Sequence, residues 1–400
     1  MRSEASVSWV PVKDLGDVRM GKQLSPASRT GAGQWPYLRV ANVYEGRIDY
    51  SDVNSMAFSA AERETYGLMP GDILLNEGQE NLMMVGRSAL YDGAPGEYCF
   101  QNTLIRFRPG PDVLPEFAQA VFVWWRANAV FAGIAEKTSI SHLGGIRFGA
   151  LLFPLIPVAA QRRIVEVLAG FTELERGIEA EIRKLELIGA SVIKRRLNDL
   201  YSASKLLTLA DVASVERGKF SARPRNDPAY FGGTYGFIQT GDVASAQRGV
   251  IRRASQRLND AGLAVSRSFP VGTVAVTIAA TIGETAILGQ SMCFPDSVVG
   301  VVANDGVDPR FLEICLHRVK GDLEGKAPQS AQRNINLQDL RPLAVPSVPL
   351  GTQADLVNLW ETYRGQAALM KDELTKLRRL RQGLVGDLLP GRFTASAVTA

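Results

Sequence analysis

The sequence predicts a mixed α/β (α+β) fold with two tandem-duplicated globular domains and two long helices that pair with each other. Three observations predict it: a length of 400 residues, a series of segments that recurs in one order, and two long proline-free stretches with heptad spacing. The predicted boundaries are 1–158 for the first globule, 159–200 for the first helix, 201–349 for the second globule, 350–390 for the second helix and 391–400 for a tail.

The composition is that of an ordinary globular protein, with 46% hydrophobic and 22% charged residues. The formal net charge is only +4, but the second half is the more basic one, which hints at a polyanionic partner. Three cysteines are too few for a disulfide framework, and a reducing cytoplasm fits them best. The N-terminus lacks a signal-peptide pattern and no apolar stretch reaches the ~20 residues of a membrane span. We therefore expect a soluble cytoplasmic protein.

The repeated segments lie about 195 residues apart. They follow one order in both halves, and six weak matches at a nearly constant offset indicate duplication of a whole domain. The matched pairs are Asp14–Lys22 with Asp211–Lys219, Leu38–Val43 with Ile238–Val243, Gly71–Leu75 with Gly272–Val276, Val85–Leu90 with Ile282–Ile287, Cys99–Phe100 with Cys293–Phe294, and Phe153–Pro157 with Val345–Pro349.

Heptad spacing in both proline-free stretches predicts helices of about 40 residues, each roughly 60 Å long. The predicted pairing positions of the first helix are Gln161, Ile164, Leu168, Phe171, Glu175, Ile178, Ile182, Leu185, Gly189, Val192 and Arg196. Those of the second are Gln353, Leu356, Trp360, Tyr363, Ala367, Met370, Leu374, Leu377, Arg381, Leu384 and Leu388. Alternatively, each helix packs on its own domain. Glu175 and Arg381 either set the register or lie at solvated ends.

Catalytic apparatus is not evident in the sequence. The two histidines, His142 and His317, fall in different domains without a recognisable partner, and no phosphate-binding loop is present. Phe231–Gly236 has glycines at the wrong spacing for such a loop and is predicted to be a turn. Asp227–Tyr230 resembles the Asp-Pro-Pro-Tyr loop of amino-methyltransferases but lacks the preceding strand–helix array. We expect no metal site and no enzyme activity from this chain alone.

Basic and amide side chains in loops are the positive signal, because they suit phosphates and base edges. The alternative is an ordinary solvated charged surface. The predicted DNA-binding residues are Lys22, Arg29, Arg39 and Arg87 in the first domain, and Lys219, Arg223, Arg225, Gln239, Arg252, Arg253 and Asn334 in the second.

Together these segments resemble the DNA-specificity (S) subunit of type I restriction–modification systems. The resemblance rests on the apolar, Pro-rich stretch and glutamine of Phe153–Val165, the helix of Leu174–Arg196, the domain opening Leu209–Lys219, and Thr281–Ile287, which is similar to the family's Thr-Ile-Gly-Lys-x-Ala segment. It covers essentially the whole chain.

The resemblance implies two target recognition domains, each reading one half of a bipartite, asymmetric DNA sequence. It also implies that the helices pair antiparallel as a spacer and dock two methyltransferase subunits, to which restriction/motor subunits then join. AdoMet and ATP with Mg²⁺ are expected on those partners, and no cofactor on this chain. Two alternatives remain: a stand-alone DNA amino-methyltransferase, and a coiled-coil adaptor that does not bind DNA.

Overall fold

The computed structural model describes residues 7–79, 81–137, 141–326 and 334–388. The chain divides into two compact units. Unit 1 comprises Met1–Glu179 and Asp372–Ala400, and unit 2 comprises Ala180–Lys371. Each unit therefore holds one globule and a part of both long helices. The predicted boundaries differ from this division, because they treat each long helix as a segment separate from the globules. The tail predicted at 391–400 and residues 389–390 of the second predicted helix lie outside the described residues.

Unit 1 contains small sheets and short helices followed by the start of a long helix. Its strands are β1 (Ser8–Pro11), β2 (Gly16–Met20), β3 (Gln34–Leu38), β4 (Val43–Tyr44), β5 (Arg47–Ile48), β6 (Asn54–Ala57), β7 (Ile73–Asn76), β8 (Gly78–Gln79), β9 (Ser88–Leu90), β10 (Cys99–Phe100), β11 (Leu104–Pro109), β12 (Glu136–Lys137), β13 (Ser141–His142) and β14 (Leu152–Leu155). Its helices are α1 (Pro26–Thr30), α2 (Ala60–Tyr66), α3 (Pro115–Ala127), α4 (Val130–Ile134), α5 (Gly145–Ala150) and the first part of α6 (Val158–Ala203).

Unit 2 repeats this arrangement. Its strands are β15 (Leu206–Thr208), β16 (Ala213–Arg217), β17 (Phe231–Phe237), β18 (Val250–Ile251), β19 (Gln256–Leu258), β20 (Ser268–Phe269), β21 (Val274–Thr277), β22 (Thr285–Leu288), β23 (Met292–Cys293), β24 (Val298–Ala303) and β25 (Ala344–Pro346). Its helices are α7 (Leu209–Val212), α8 (Thr240–Ser245), α9 (Asp260–Ala264), α10 (Pro309–Arg318), α11 (Lys320–Lys326), α12 (Leu337–Leu340) and most of α13 (Leu350–Leu388).

The strand order of the main sheet is the same in both units. It is β2-β11-β7-β9 in unit 1 and β16-β24-β21-β22 in unit 2, all antiparallel, and unit 2 adds β18 in parallel beside β22. The smaller sheet also has the same strand order in both units. In unit 1, β3 pairs in parallel with β10 and antiparallel with β6; in unit 2, β17 pairs in parallel with β23 and antiparallel with β19. The shared topology agrees with the duplication inferred from the repeated segments.

The central strands are buried on both faces, which explains their continuous apolar character. In β7, Ile73 and Leu75 face an aromatic core with α3, whereas Leu74 faces the core beneath the smaller sheet. In β21, Val274 and Val276 belong to the core with α10, and Ala275 belongs to the second core. In each unit, therefore, one face of the main sheet packs on helices and the other face lies toward the smaller sheet.

Close backbone packing fixes the loop after the first main-sheet strand in both units. A Cβ on Gly21 would collide with the carbonyl of Gln101, and one on Gly218 with the carbonyls of Phe294 and Pro295. Only glycine fits where backbone approaches backbone this closely. The Gly-Lys pairs of the two repeats therefore mark one turn that leads into the loops predicted to bind DNA.

Two helices of this fold are far longer than the rest, at 46 and 39 residues. Because an α-helix rises ~1.5 Å per residue, their lengths are roughly 69 and 58 Å. In unit 1, Glu175 of α6 lies 3.2 Å from Arg381 of α13, and Glu179 pairs with Arg378. The residue numbers rise along one helix as they fall along the other, so the pair is antiparallel in this unit.

Unit 2 continues this antiparallel pairing. Glu186 lies 2.7 Å from Lys371, and the Cα of Gly189 packs against the ring of Tyr363. The prediction of two globular domains with two long helices packed together is confirmed. Among the described residues, no helix combines the length and apolar character needed to cross a membrane.

Heptad positions along α6 are shielded from solvent up to Gly189, but the buried positions then shift by one residue. Ile193 and Leu197 are buried, whereas Val192 is half-buried and Arg196 is exposed, so the predicted seam is wrong at this end. The reason is that α6 here packs on the core of unit 2, together with Leu356 and Trp360. The α13 positions from Leu356 to Leu384 are buried or half-buried as the heptads predict, and the side chain of Leu388 lies outside the described residues.

Candidate nucleic-acid interface

Most of the basic side chains predicted to bind DNA in unit 1 form hydrogen bonds or ion pairs within their own domain. Lys22 donates at 2.7 Å both to the carbonyl of Ala57 and to Glu62, whose pKa it lowers through this hydrogen bond. Arg39 pairs with Asp52 at 2.7 Å, and Arg87 donates to the carbonyl of Val43 at 3.1 Å. These three side chains therefore have structural partners.

Arg29 differs from the other basic side chains predicted to bind DNA in unit 1. It lies in the last turn of α1, a helix capped by Ser25 with Pro26 in its first turn. Its side chain is exposed and forms no ion pair with any residue that the structure describes. Of the four predicted DNA-binding residues in this unit, Arg29 is the one most available to a phosphate.

In unit 2, three predicted basic residues lie on the loop after Gly218. Lys219 is exposed, and no acidic partner for it occurs within the described ranges. Arg223 donates to the carbonyl of Ala222 at 2.7 Å, and Arg225 pairs with Asp296 at 3.0 Å with both side chains about half exposed. This loop thus presents cations to solvent while local hydrogen bonds hold two of them in place.

A second group of predicted DNA-binding residues surrounds the start of α8. The Gln239 backbone N–H donates to Asp242, while its side chain donates to Gln256 at 3.0 Å. Arg252 and Arg253 follow β18 and are exposed, without an ion pair to described residues. Arg257, one residue after Gln256 on β19, is equally exposed.

Asn334 is exposed, and its backbone forms an isolated antiparallel β-bridge with Ala279. The equivalent position in unit 1 is His142. Asn334 precedes the buried Ile335, whose N–H donates to the carbonyl of Ile278 just after β21, and His142 precedes the buried Leu143, whose N–H donates to the carbonyl of Glu77 just after β7. His142 has a partner that is not recognisable in the sequence: its Nδ1 lies 2.9 Å from Glu77. The two residues are 65 positions apart in the sequence, so no local pattern indicates the pair.

Unpaired positive charge is unevenly distributed between the two units. Between residues 217 and 257 of unit 2, six basic side chains form no ion pair with a described residue: Arg217, Lys219, Arg223, Arg252, Arg253 and Arg257. Arg248, in the same stretch, instead pairs at 2.7 Å with the fully buried Glu313. The candidate interface of unit 2 is therefore the more electropositive one.

The Asp227–Tyr230 segment has a structural role here. Asp227 caps a short 3-10 turn by accepting the N–H of Ala229 at 2.9 Å, and Tyr230 packs edge-on against Phe220. Phe231–Gly236 belongs to β17 and is not the turn that its glycines suggested. Phe231 and Phe237 of this strand pack in the domain core, whereas Tyr235 is exposed, and the register shift between Phe231 and Tyr235 accommodates the glycines.

The prediction that Gln161 and Gln353 pair the helices is wrong. Each glutamine instead attaches the start of its helix to its own globule. The Gln161 side chain accepts the N–H of Leu114 at 2.8 Å and donates to the carbonyls of Asp112 and Ile156, both at 2.8 Å. Gln353 accepts the N–H of Asp308 and donates to Gly306 and Val348. The same buried clamp, repeated in both units, positions the helix relative to the sheet.

The Gln353→Leu variant is expected to reduce the free energy of unfolding by about 1–3 kcal/mol, because leucine leaves buried backbone groups unpaired. Urea denaturation followed by circular dichroism measures this reduction. Gln382→Leu, at an exposed position on the same helix, is the control and should have little effect. Equal stability of the two variants would show that the clamp contributes nothing.

Similar proteins add to this geometry. Residues 202–379 match the family model for the type I restriction modification DNA specificity domain. A relative in Methanocaldococcus jannaschii, named as the specificity subunit of the type I restriction enzyme MjaX, is 19% identical over 375 residues, which cover 90% of this chain and 87% of that protein.

Solved structures resemble the whole chain. One, from work on complex assembly and conformational transition of the type I R-M system, has a TM-score of 0.67 at 17% identity and covers 97% of this chain and 98% of its own. The HsdS subunit of Thermoanaerobacter tengcongensis has a TM-score of 0.54 at 16% identity, with 97% of both chains covered. The S subunit from M. genitalium has a TM-score of 0.52 at 12% identity, with 98% of both covered. Residues 202–379 therefore resemble the type I restriction modification DNA specificity domain, and the chain shares the fold of the solved S subunits.

Proposed function

We propose that this chain recognises a bipartite, asymmetric double-stranded DNA target, one half-site through each globule. The observation that carries the proposal is the duplicated fold with unlike loops: both units share one strand order and one glutamine clamp, but their exposed side chains differ. Between residues 20 and 60 of unit 1, Arg29 and Arg47 form no ion pair with a described residue, whereas between 217 and 257 of unit 2 six cations form none. Two equal scaffolds with different loops are suited to reading two different sequences.

The side chains support recognition of DNA over catalysis by the chain itself. Arginine and lysine on loops contact phosphates, and Gln239 with Asn334 offers amide groups for base edges. Asp227, which the methyltransferase alternative requires, is engaged as a turn cap. In this proposal AdoMet and ATP with Mg²⁺ are bound by partner subunits in the cytoplasm, and this chain supplies specificity.

A methylome comparison tests the proposal. Single-molecule sequencing of the source organism with the gene intact and deleted should show loss of one bipartite methylated motif on deletion. The Lys219→Gln/Arg252→Gln/Arg253→Gln variant, reintroduced into the deletion strain, should restore less methylation than the unaltered gene. Retention of every methylated motif in the deletion strain, together with a purified chain that does not bind duplex DNA, would contradict the proposal.

We further propose that methyltransferase subunits, and through them restriction/motor subunits, dock on the paired helices. Exposed apolar side chains on both helices support this: Leu187 is 70% and Leu369 is 66% exposed. In unit 2 a groove of about 480 Å³ runs between α6 and α13, lined by Leu185, Ile188 and Leu369 among others. Apolar side chains of this kind on a helix pair are typical of a surface that a partner covers.

Leu369→Glu is expected to abolish co-purification with the methyltransferase subunit while leaving the chain folded, because it places a charge in the proposed interface. Affinity capture of the co-expressed subunits measures the effect. Val271→Glu is the matched control, since Val271 is 64% exposed in the same unit but lies in a globule loop. Unchanged capture by the Leu369→Glu variant would rule out this groove as the docking surface.

A further inference from the structure

Unit 2 contains a cavity of about 660 Å³ that neither DNA binding nor helix docking accounts for. Its walls come from α6, α10, α13 and the turn before β18. This volume lies within the range of roughly 300–1,000 Å³ that is typical of small-molecule sites. The walls combine apolar side chains, such as Ile193 and Ile314, with a group of cations.

The cations that line this cavity exceed the carboxylates. Lys371 pairs with Glu186 at 2.7 Å, and Arg248 pairs with Glu313 behind the wall. Three more, Lys194, Arg318 and Arg364, form no ion pair with a residue of the described ranges. Burial lowers the pKa of Arg364, and the charges of Arg310 and Arg248 add to this effect against the opposing carboxylates of Glu361 and Glu313, as expected where several cations lie close together. An anion would relieve that crowding.

A further polar group of the wall is His317. Its Nδ1 is buried and has no hydrogen-bond partner among the described residues. Burial and the charge of Arg248 lower the pKa of His317, so that the ring is neutral near pH 7. An unsatisfied buried ring nitrogen is costly unless something binds it. The ring forms part of the cavity wall and adds no positive charge to it.

Flat groups give the cavity its shape preference. Trp360 and Tyr363 of α13 form part of the wall. The guanidiniums of Arg248, Arg310 and Arg364 lie over the Trp360 ring at 5.1, 4.7 and 4.9 Å, so the planar groups of the wall include guanidiniums as well as rings. Planar side chains and guanidinium planes favour a planar ring over an aliphatic chain. We propose that this cavity binds a nucleoside phosphate, with Lys194, Arg318 and Arg364 at the phosphate and the apolar wall at the base. This ligand would be additional to the DNA, and the inference does not depend on DNA recognition.

Calorimetric titration of the full chain with AMP tests this inference. We expect saturable binding by the chain, and binding at least tenfold weaker for adenosine, which lacks the charge. Lys194→Gln should weaken AMP binding about tenfold, because it removes one charged hydrogen bond. Arg195→Gln is the matched control: it removes the same charge from the next residue of α6, which is exposed outside the cavity.

Other results would overturn the inference. Absence of AMP binding, or equal weakening in the Lys194→Gln and Arg195→Gln variants, contradicts a nucleotide site. If AMP fails to bind but Lys194→Gln and Arg318→Gln weaken capture of the methyltransferase subunit, the cavity receives an acidic protein segment instead. Duplex-DNA affinity, measured on the same samples, should be unaffected by AMP at a concentration that saturates the cavity. Competition would make the cavity part of the DNA surface and reject the separate site.

Discussion

Glu313→Gln is expected to destabilise unit 2 by about 3–5 kcal/mol, because it leaves two arginines without their buried counter-charge. Glu313 is fully buried on α10. It accepts from Arg248 at 2.7 Å, from Arg310 at 3.3 Å and from the Thr285 hydroxyl at 2.7 Å. Both arginines also lie over the ring of Trp360, so the cluster ties α10 to the long helix α13.

The duplication provides the comparison for this variant. At the equivalent position of unit 1, Gln119 donates to the backbone carbonyl and the hydroxyl of Ser88, a neutral pair in place of Glu313 and Thr285. A glutamine is therefore compatible with the fold when no arginines surround it. The Arg248→Gln/Glu313→Gln double variant should recover part of the missing stability. Hydrogen-exchange mass spectrometry, which localises the destabilisation to unit 2, measures both, and additive effects would show that the residues are not coupled.

The same cluster makes unit 2 sensitive to acid. Burial alone raises the pKa of Glu313, but the charges of Arg248 and Arg310 and the hydrogen bonds from Arg248 and Thr285 outweigh it, so its pKa lies below the ordinary value. Its contribution to stability is therefore complete above the unfolded pKa of about 4.3 and is lost as pH falls through the lower folded value. Glu313→Gln should remove this part of the acid dependence.

The architecture could be predicted from the sequence because it depends on patterns that are local or repeated. Heptads define both long helices, and the recurrence of Gly21-Lys22 as Gly218-Lys219 marks one turn in two domains. The shift of the seam to Ile193 and Leu197 could not be predicted, because it follows from packing on a globule that is distant in sequence. The aromatic residues of Phe231–Phe237 carry a strand signal, but the glycines obscured it.

The candidate interface was less predictable, since charge alone does not show which side chains are already paired. Lys22 and Arg39 resemble Lys219 and Arg252 in the sequence, but Glu62 and Asp52, which lie 40 and 13 residues away, bind the first two. The position of Gln161 at the start of α6 predicts helix pairing, and only the structure shows the buried backbone groups that it binds. A single sequence does not show which side chains far apart in the chain form ion pairs or hydrogen bonds with each other.

The unequal distribution of free cations predicts that unit 2 supplies most of the electrostatic affinity for DNA. Replacing Lys219, Arg252, Arg253 and Arg257 together by glutamine should reduce the slope of log affinity against log salt by about 0.9 for each phosphate that these side chains neutralise. If each of the four binds one phosphate, affinity at physiological salt should fall roughly 10³-fold. Fluorescence anisotropy with duplex DNA at several salt concentrations measures both quantities. All four side chains are exposed, so folding should be unaffected.

The control separates position from net charge. Replacing Arg162, Arg163, Arg195 and Arg196 by glutamine removes the same four charges from exposed positions on α6. If the globule of unit 2 binds the phosphates, this second variant should keep nearly the whole salt slope, because long-range attraction is screened beyond ~8 Å at physiological salt. Equal reductions in the two variants would mean that the unpaired loop cations act only through total charge. Retention of the slope by the loop variant would instead place the phosphate-binding residues elsewhere in the chain and leave Arg29 and Arg223 as the next residues to replace.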